Sequence, residues 1–300
     1  MRQTGFRLEG YRYWILCAAM LLCPFPVLAV EGSGFGFAGE LGVGYDDNVS
    51  NWLANRAKRE SGLVNAAVQV GNALALSRNT ILQLRGSLRV EAVTDYEALN
   101  YAKLIGSVRL VHRPEGGFYA PTMALTASAA QWEFNSSIRD SSEYQVGLLL
   151  MQPISTLISG RLSIAGTQRE SASRVFDLAN RAVSLDLDWR ATARLAVYCG
   201  YQYRRGDIVS TAAMVGNSGP NYSVADVAEV IELDDAYGGF AAGVLAYRLE
   251  ADTQIATLGV NRSFSPSLSV DLQLQSARSN AGADIQYDRL VGFASLLKRF

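Results

Sequence analysis

The feature that most constrains this chain is a strict alternation of apolar and polar side chains over more than ten residues. In the segment 80–93, every second residue is apolar or small, and most of the residues between them are polar or charged. Such an alternation predicts a β-strand with one apolar face. A strand of a soluble sandwich usually has about 5 or 6 residues, whereas a tilted strand that crosses an outer membrane needs about 9 to 11. The length therefore favours a transmembrane β-barrel.

The same pattern repeats along the chain and predicts an all-β, antiparallel, up-and-down transmembrane barrel. We predict about twelve strands, an even number that brings both ends of the barrel to the periplasmic side. Fourteen strands are the alternative, because residues 206–252 are long enough to hold two more. The predicted strands are 34–46, 61–76, 80–93, 101–113, 118–133, 143–152, 156–169, 179–189, 194–205, 253–264, 268–277 and 286–300.

The connections between these strands alternate in length. Short ones contain turn-forming residues, as in Ser77-Arg78-Asn79 and Ser265-Pro266-Ser267. Short periplasmic turns and longer outer loops are typical of outer-membrane barrels. The longest predicted outer loop is 206–252, which either folds inward as a constriction or extends the barrel wall as an external hairpin.

Aromatic side chains on the predicted lipid face form two groups, as expected for girdles at the two membrane interfaces. The periplasmic group is Phe35, Phe37, Tyr119, Trp189, Phe264 and Phe300, and the outer group is Tyr45, Tyr144, Tyr201 and Tyr203. Trp132 and Tyr287 fall on the opposite face, which predicts a bulge or a register slip in their strands. Pro121 predicts a strand that begins near Thr122.

The first 29 residues have the pattern of an export signal. Three arginines precede an apolar core from Trp14 to Leu22, and Val27-Leu28-Ala29 fits a cleavage site. The core is shorter than the roughly 20 apolar residues that span a bilayer, which disfavours a retained anchor. We therefore predict a signal peptide at 1–29 and an outer-membrane barrel at 30–300.

Composition disfavours several classes of function. Without the signal, Cys199 and His112 are the only cysteine and histidine, which excludes an internal disulfide and any site built from several thiolates or imidazoles. The 27 basic and 28 acidic residues nearly balance, so nothing favours nucleic acid as a partner. We predict no cofactor.

Two places could carry chemistry. Outer-membrane lipid hydrolases need a histidine beside a serine in the outer half of the membrane, whereas His112 precedes a predicted periplasmic turn, so we predict no catalytic residue and no enzyme. Asp46-Asp47-Asn48 offers clustered oxygen ligands for calcium, but these residue types also favour turns that leave a strand. The triplet lacks the spacing and glycine of a calcium loop, so we predict no metal. Residues 47, 48 and 51 could instead touch saccharide.

The predicted lumen face carries charges of both signs. Four cations on adjacent strands form a basic stripe: Arg85, Arg89, Lys103 and Arg109. The other inward charges are Arg161, Arg169, Glu40, Glu91, Asp186, Asp188 and Asp271. A stripe opposite acidic residues creates a transverse field that favours polar or anionic solutes. Alternatively, the charges pair across a narrow lumen and fill it.

Two segments resemble known outer-membrane proteins. Residues 290–300 alternate and end on Phe300, which resembles the closing-strand signal that barrels present to the β-barrel assembly machinery. Residues 39–50, GELGVGYDDNVS, resemble the first strand and loop of proteobacterial β-barrel porins, some of which accompany exopolysaccharide systems. The resemblance implies an outer-membrane protein of twelve or more strands with a channel or export role, and it supplies no catalytic residue.

The leading hypothesis is a narrow porin or export channel for small polar or anionic solutes or for polysaccharide. The alternative is a non-conducting structural barrel whose loops bind surface polymer or partner proteins. The predicted partners are outer-membrane lipid, the assembly machinery and the transported solute or polysaccharide.

Overall fold

The computed structural model describes residues 35–52, 58–213, 229–233, 244–281 and 285–300. The predicted signal peptide and the middle of the predicted loop 206–252 lie outside these residues. The strands are β1 (Gly36–Asp46), β2 (Ser61–Ala75), β3 (Thr80–Val93), β4 (Tyr101–His112), β5 (Thr122–Phe134), β6 (Ser141–Pro153), β7 (Ile158–Ser171), β8 (Leu178–Arg190), β9 (Leu195–Ala213), β10 (Glu229–Leu233), β11 (Val244–Ser263), β12 (Leu268–Asn280) and β13 (Gln286–Arg299). Single 3-10 turns lie at Glu97–Leu99, Ser137–Arg139 and Arg174–Phe176. In this part of the chain, no helix has the length and apolar character needed to span a bilayer.

Twelve of these strands form a closed antiparallel ring, as predicted. Each strand from β1 to β8 pairs with the next, β9 pairs with β11, β11 pairs with β12, and β13 pairs with both β12 and β1. The short strand β10 lies outside the ring, because it pairs with residues 244–248 of β11, beyond the part of β11 that pairs with β12. The described residues therefore form a barrel of twelve strands, and the alternative of fourteen is wrong.

Alternation along the strands separates an apolar outer face from a polar inner face. Outward leucines are widely exposed, with exposed fractions of 61% for Leu104, 62% for Leu148 and 56% for Leu258. So much exposed apolar surface suits lipid, because the outer face of a membrane barrel carries an apolar band. The outer-membrane location follows from this barrel architecture.

The barrel is oriented by its two ends. Most connections at one end have four residues, as at 76–79, 154–157 and 264–267, and β1 begins and β13 finishes at the same end. In outer-membrane barrels this is the periplasmic end. The β4–β5 connection at 113–121 is longer than predicted, because β5 begins only at Thr122, directly after Pro121. The strand start expected from Pro121 is thereby confirmed.

The barrel seam joins β1 to β13 along both strands. At the periplasmic end, the Phe300 N–H donates to the Phe37 carbonyl over 3.0 Å, and the two rings lie 5.2 Å apart. Most of the other predicted girdle residues are exposed at the strand ends, including Phe35, Trp189 and Tyr144. This arrangement matches the amphipathic positions expected at membrane interfaces.

The bulge or slip predicted for the strands of Trp132 and Tyr287 is wrong. β5 pairs without interruption with β4 and β6, and β13 pairs without interruption with β12. Both aromatic side chains belong to the inner face. Trp132 contacts lumen cations, and the Tyr287 hydroxyl lies 3.1 Å from the Tyr247 hydroxyl.

The predicted loop 206–252 is largely strand where it is described. β9 continues to Ala213 and β11 begins at Val244, and the two pair from Leu195 opposite Arg262 to Ala213 opposite Val244. Residues 206–213 and 244–252 therefore extend the barrel wall as a hairpin, and they do not fold inward as an isolated loop. Residues 214–228 and 234–243 lie outside the described residues.

Candidate pore and outer cavity

The eleven charged residues predicted to face the lumen all have inward register. Arg89 stands opposite Lys103 across the β3–β4 pair, and Arg161 stands opposite Asp186 across the β7–β8 pair. Their outward neighbours along each strand are apolar or small, as at Leu88 and Leu104, except beside Arg169, which lies between Gln168 and Glu170. The register alone does not show which of these charges have an oppositely charged partner.

In the outer half of the lumen, cations are paired through one acidic residue that the sequence pattern did not single out. The Glu143 carboxylate on β6 binds Lys103 Nζ at 3.1 Å and Arg169 Nη2 at 2.6 Å. The Trp132 ring lies beside both cations, with its centre 3.9 Å from Lys103 Nζ and 4.2 Å from Arg169 Cζ. Carboxylate and π-face together hold these two side chains in place.

Two further cations of the predicted set have acidic partners. Arg89 on β3 reaches Glu40 on β1 at 3.6 Å, and Arg161 on β7 reaches Asp188 on β8 at 3.3 Å. Both pairs are partly exposed to the lumen, so they contribute little to stability. Their main effect is to lower the net charge of the pore wall.

Arg85 and Arg109 differ from the rest of the basic stripe. Their register places them diagonally on β3 and β4, since Arg85 stands opposite Ser107 and Gln83 opposite Arg109. Among the described residues, neither guanidinium forms an ion pair with a carboxylate. Both lie nearer the periplasmic ends of their strands. Within the described part of the chain, the basic stripe therefore has acidic partners towards the outer end of the barrel and none towards the periplasmic end.

On another part of the barrel wall, the Tyr198 side chain lies across the inner face of β11. Tyr198 on β9 donates to Asp271 Oδ2 on β12 over 2.7 Å, spanning β11 between them. The Tyr198 ring lies over Gly259 of β11, where a Cβ would overlap the ring. A glycine at this position therefore lets the tyrosine lie flat against the wall.

Hydrogen bonds and ion pairs of the Asp46-Asp47-Asn48 triplet link the first loop, the β1–β2 connection at 47–60, to β13. Asp46 Oδ2 accepts from Arg289, Asp47 Oδ1 accepts from the Leu290 N–H at 2.6 Å, and Asp47 Oδ2 pairs with Lys58 at 2.7 Å. The buried Asn48 amide donates to the Trp52 and Asp288 carbonyls at 2.8 and 3.0 Å. The oxygens considered for calcium or saccharide accept hydrogen bonds from the protein itself, which accounts for the motif structurally.

His112 lies at the periplasmic end of β4, as predicted. Its side chain is exposed and has outward register, with Nδ1 3.1 Å from the Thr80 hydroxyl. Among the described residues, its side chain forms no hydrogen bond with a serine hydroxyl. The position fits an interfacial residue of the barrel end.

Outer loops from around the ring meet over the lumen. Val175 and Phe176 of the β7–β8 connection, Leu233 of β10 and Val244 of β11 are buried in one apolar cluster. Side chains from three more connections pack against it: Trp52, Tyr96, Leu99 and Ile138. The β1–β2 and β7–β8 connections are six strands apart in the ring of twelve, on opposite sides of the barrel. Because residues of both connections pack in one cluster, the described outer segments together cross the outer mouth.

Hydrogen bonds fasten the first loop to the extended hairpin. Asn51 Nδ2 donates to the Val209 carbonyl at 3.0 Å, and the Ser210 hydroxyl donates to the Asn51 carbonyl at 2.6 Å. The Thr211 hydroxyl donates to the Ser50 carbonyl at 3.0 Å. The hairpin is therefore held against the first loop rather than standing free above the barrel.

Beneath these loops lies a cavity of about 340 Å³. Four guanidinium groups line it, from Arg139, Arg169, Arg204 and Arg289, against one carboxylate, from Asp207. Burial lowers the pKa of Arg139 to about 10, so this residue stays charged at neutral pH, and its Cζ lies 4.2 Å from the centre of the Phe176 ring. Because Arg169 pairs with Glu143 and Arg289 with Asp46, the net positive charge of the cavity comes from Arg139 and Arg204.

Sequence reasoning missed Glu143, Arg204 and Arg289, and it did not predict that Asp46 is buried against Arg289. Glu143 is the first residue of the predicted strand 143–152, and alternation with the outward Tyr144 already assigns it to the lumen, but it was not singled out among the lumen charges. Arg204 lies at the edge of the predicted strand 194–205, next to the supposed loop. Their convergence depends on barrel curvature and loop closure, which period-two patterning does not encode.

Comparisons with known proteins agree on the fold. No protein-family model matches the chain, and no curated protein matches it. Among solved structures, an outer membrane channel from Pseudomonas putida F1 is similar, with a TM-score of 0.57 at 10% identity over 88% of this chain and 95% of that one. The translocator domain of the autotransporter NalP from Neisseria meningitidis gives 0.39 at 11% identity, covering 97% and 95%. The NanC porin gives 0.46 at 4% identity, covering 87% and 100%. The similarity to the Pseudomonas putida channel shows that the chain has the fold of an outer-membrane β-barrel.

Proposed function

We propose that the protein is an outer-membrane channel for small polar or anionic solutes. The observation that carries the proposal is the uncompensated pair Arg85 and Arg109 on the inner wall of a closed ring. Cations without carboxylate partners attract anions into a narrow lumen and raise their local concentration. The exopolysaccharide association implied by the GYDDNV resemblance stays a prediction.

The experiment is single-channel recording of the refolded protein, residues 30–300, in a planar bilayer. We expect steady openings and a reversal potential in a salt gradient that indicates anion preference. The double variant Arg85→Gln/Arg109→Gln should shift the reversal potential towards cation preference. The matched control Arg161→Gln/Asp188→Asn removes one charge of each sign from the same half of the lumen, so it should leave the preference unchanged. An unshifted potential in the Arg85/Arg109 variant would overturn the role of these arginines.

A second candidate is a non-conducting barrel that uses its loops for binding, and the loops that cross the outer mouth favour it. A variant lacking residues 210–248 separates the two. Silence from both proteins would support the non-conducting barrel. Current from the deletion variant alone would identify the hairpin region as a plug, and current from both would support the channel.

A further inference from the structure

The cavity under the outer loops contains buried polar atoms with no partner. Arg204 Nε, Asn180 Oδ1 and Ser50 Oγ are buried without a hydrogen bond, and all three residues line this cavity. Buried polar atoms in native proteins are nearly always hydrogen-bonded, to protein, water or ligand. Three such atoms around one cavity therefore need partners from water or from a bound molecule.

The charges around Arg204 show which kind of molecule fits. The charged groups that act on its guanidinium are Arg169 and Arg289, both of like sign. Each of those has its own carboxylate, Glu143 for Arg169 and Asp46 for Arg289. Within the described residues, Arg204 forms no ion pair with a carboxylate, so an anionic group at this position would complement its charge.

The uncharged lining restricts the molecule further. The Asn180 Oδ1 atom accepts hydrogen bonds, and the Ser50 hydroxyl donates or accepts one. A bare halide or an acetate ion cannot donate to Asn180, whereas a hydroxylated acid provides both a carboxylate and O–H groups. Phe134 and Phe176 also line this space and give it an apolar part that suits the C–H groups of a sugar ring. About 340 Å³ falls in the range of small-molecule sites.

We propose that this cavity is a binding site for a hydroxylated carboxylate of the size of one sugar acid. Arg204 binds the carboxylate, while Asn180 and Ser50 bind hydroxyl groups. The inference deepens the proposed channel function, because such a site lies at the outer end of the solute path. It does not depend on conduction, since occupancy can be measured in detergent without any current.

The test is isothermal titration of the refolded protein in micelles with D-glucuronate, and in parallel with glucose and acetate. We expect binding of glucuronate, with glucose and acetate at least tenfold weaker. Arg204→Gln should weaken glucuronate binding by about tenfold or more, because a charge-assisted hydrogen bond is lost. Arg204→Lys should restore part of it.

The matched control is Arg205→Gln, one residue along β9, whose side chain is exposed and pairs with Glu250 on the outer face. It should bind glucuronate like the unaltered protein, and the heat-dependent gel mobility of each variant reports that the barrel has folded. Equal binding by Arg204→Gln and the unaltered protein would overturn the site. If acetate bound as tightly as glucuronate, the cavity would be a general anion site. If glucose bound as tightly as glucuronate, charge would have no role. Absence of glucuronate binding would refute the proposal. The bilayer recordings test the channel function independently of all these results.

Discussion

Arg289 in the last strand binds Asp46 at the outer end of the first strand, with Nε 2.8 Å from Oδ2. The Asp46 side chain is fully buried, so its carboxylate depends on this partner. Asp46→Asn removes the charge and leaves the guanidinium without its acid. We expect the free energy of unfolding, measured by urea titration in detergent, to fall by about 1 to 3 kcal/mol.

The control for this seam variant is Glu250→Gln. Its ion pair with Arg205 is two-thirds exposed on both sides, with side-chain exposures of 67% and 66%. Exposed pairs contribute at most about 1 kcal/mol, so the control should change stability little. Equal losses in the two variants would contradict a special role for the seam.

Gly259 permits the crossing of the inner wall by Tyr198, so Gly259→Ala should be destabilising. The added methyl group overlaps the ring and must displace it from Asp271. Overpacking of this kind costs about 1 to 3 kcal/mol, measured by the same urea titration. Gly106→Ala is the matched control, because no atom lies within 4 Å of a Cβ at that outward position. Stability should be retained there, and a loss equal to that of Gly259→Ala would indicate a general intolerance of strand glycines.

Glu143 compensates two lumen cations, and Glu143→Gln should therefore increase anion preference. Lys103 and Arg169 keep their positions beside Trp132 but lose the shared carboxylate. The measurement is the reversal potential in a salt gradient. Gln145→Ala alters the next inward residue of β6 without a change of charge and should leave the potential where it was. An unchanged potential in Glu143→Gln would mean that these cations do not face the permeation path.

Cys199 has outward register on β9, opposite Leu187 and Leu258, and its side chain is exposed. In lipid vesicles we expect it to react slowly with a charged maleimide, because the membrane covers it. In a Cys199→Ser background, Gln202→Cys places a thiol on the inner face and should react faster if the lumen is wet. Rapid labelling of Cys199 in vesicles would contradict the assignment of the lipid face.

Most strands could be predicted because the two faces of a barrel wall lie in different environments. Lipid outside and a polar lumen inside impose period two on every crossing segment, and β3 and β12 show it in the sequence alone. The predicted boundaries failed mainly at the outer ends. β9 and β11 continue past residues 205 and 253 because, in the described part of the hairpin, apolar side chains on both of its faces, such as Ile208 and Val209, pack against other outer segments.

The lumen charges could be assigned to the inner face, but their partners could not be predicted. Lys103 and Glu143 are 40 residues apart and meet across β5, and Arg289 and Asp46 meet only because the ring closes. Trp132 was assigned a register error because an aromatic residue was expected to face lipid. Two cations beside its ring explain its inward position.

The pairing of β1 with β13 also has a consequence for the order of events during biogenesis. Ribosomal synthesis delivers β1 first and β13 last among the strands, so β1 has an unsatisfied edge until the end of translation. Unpaired strand edges are templates for aggregation. The ring can therefore close only after β13 has been synthesised, and the chain must be kept from self-association until it closes.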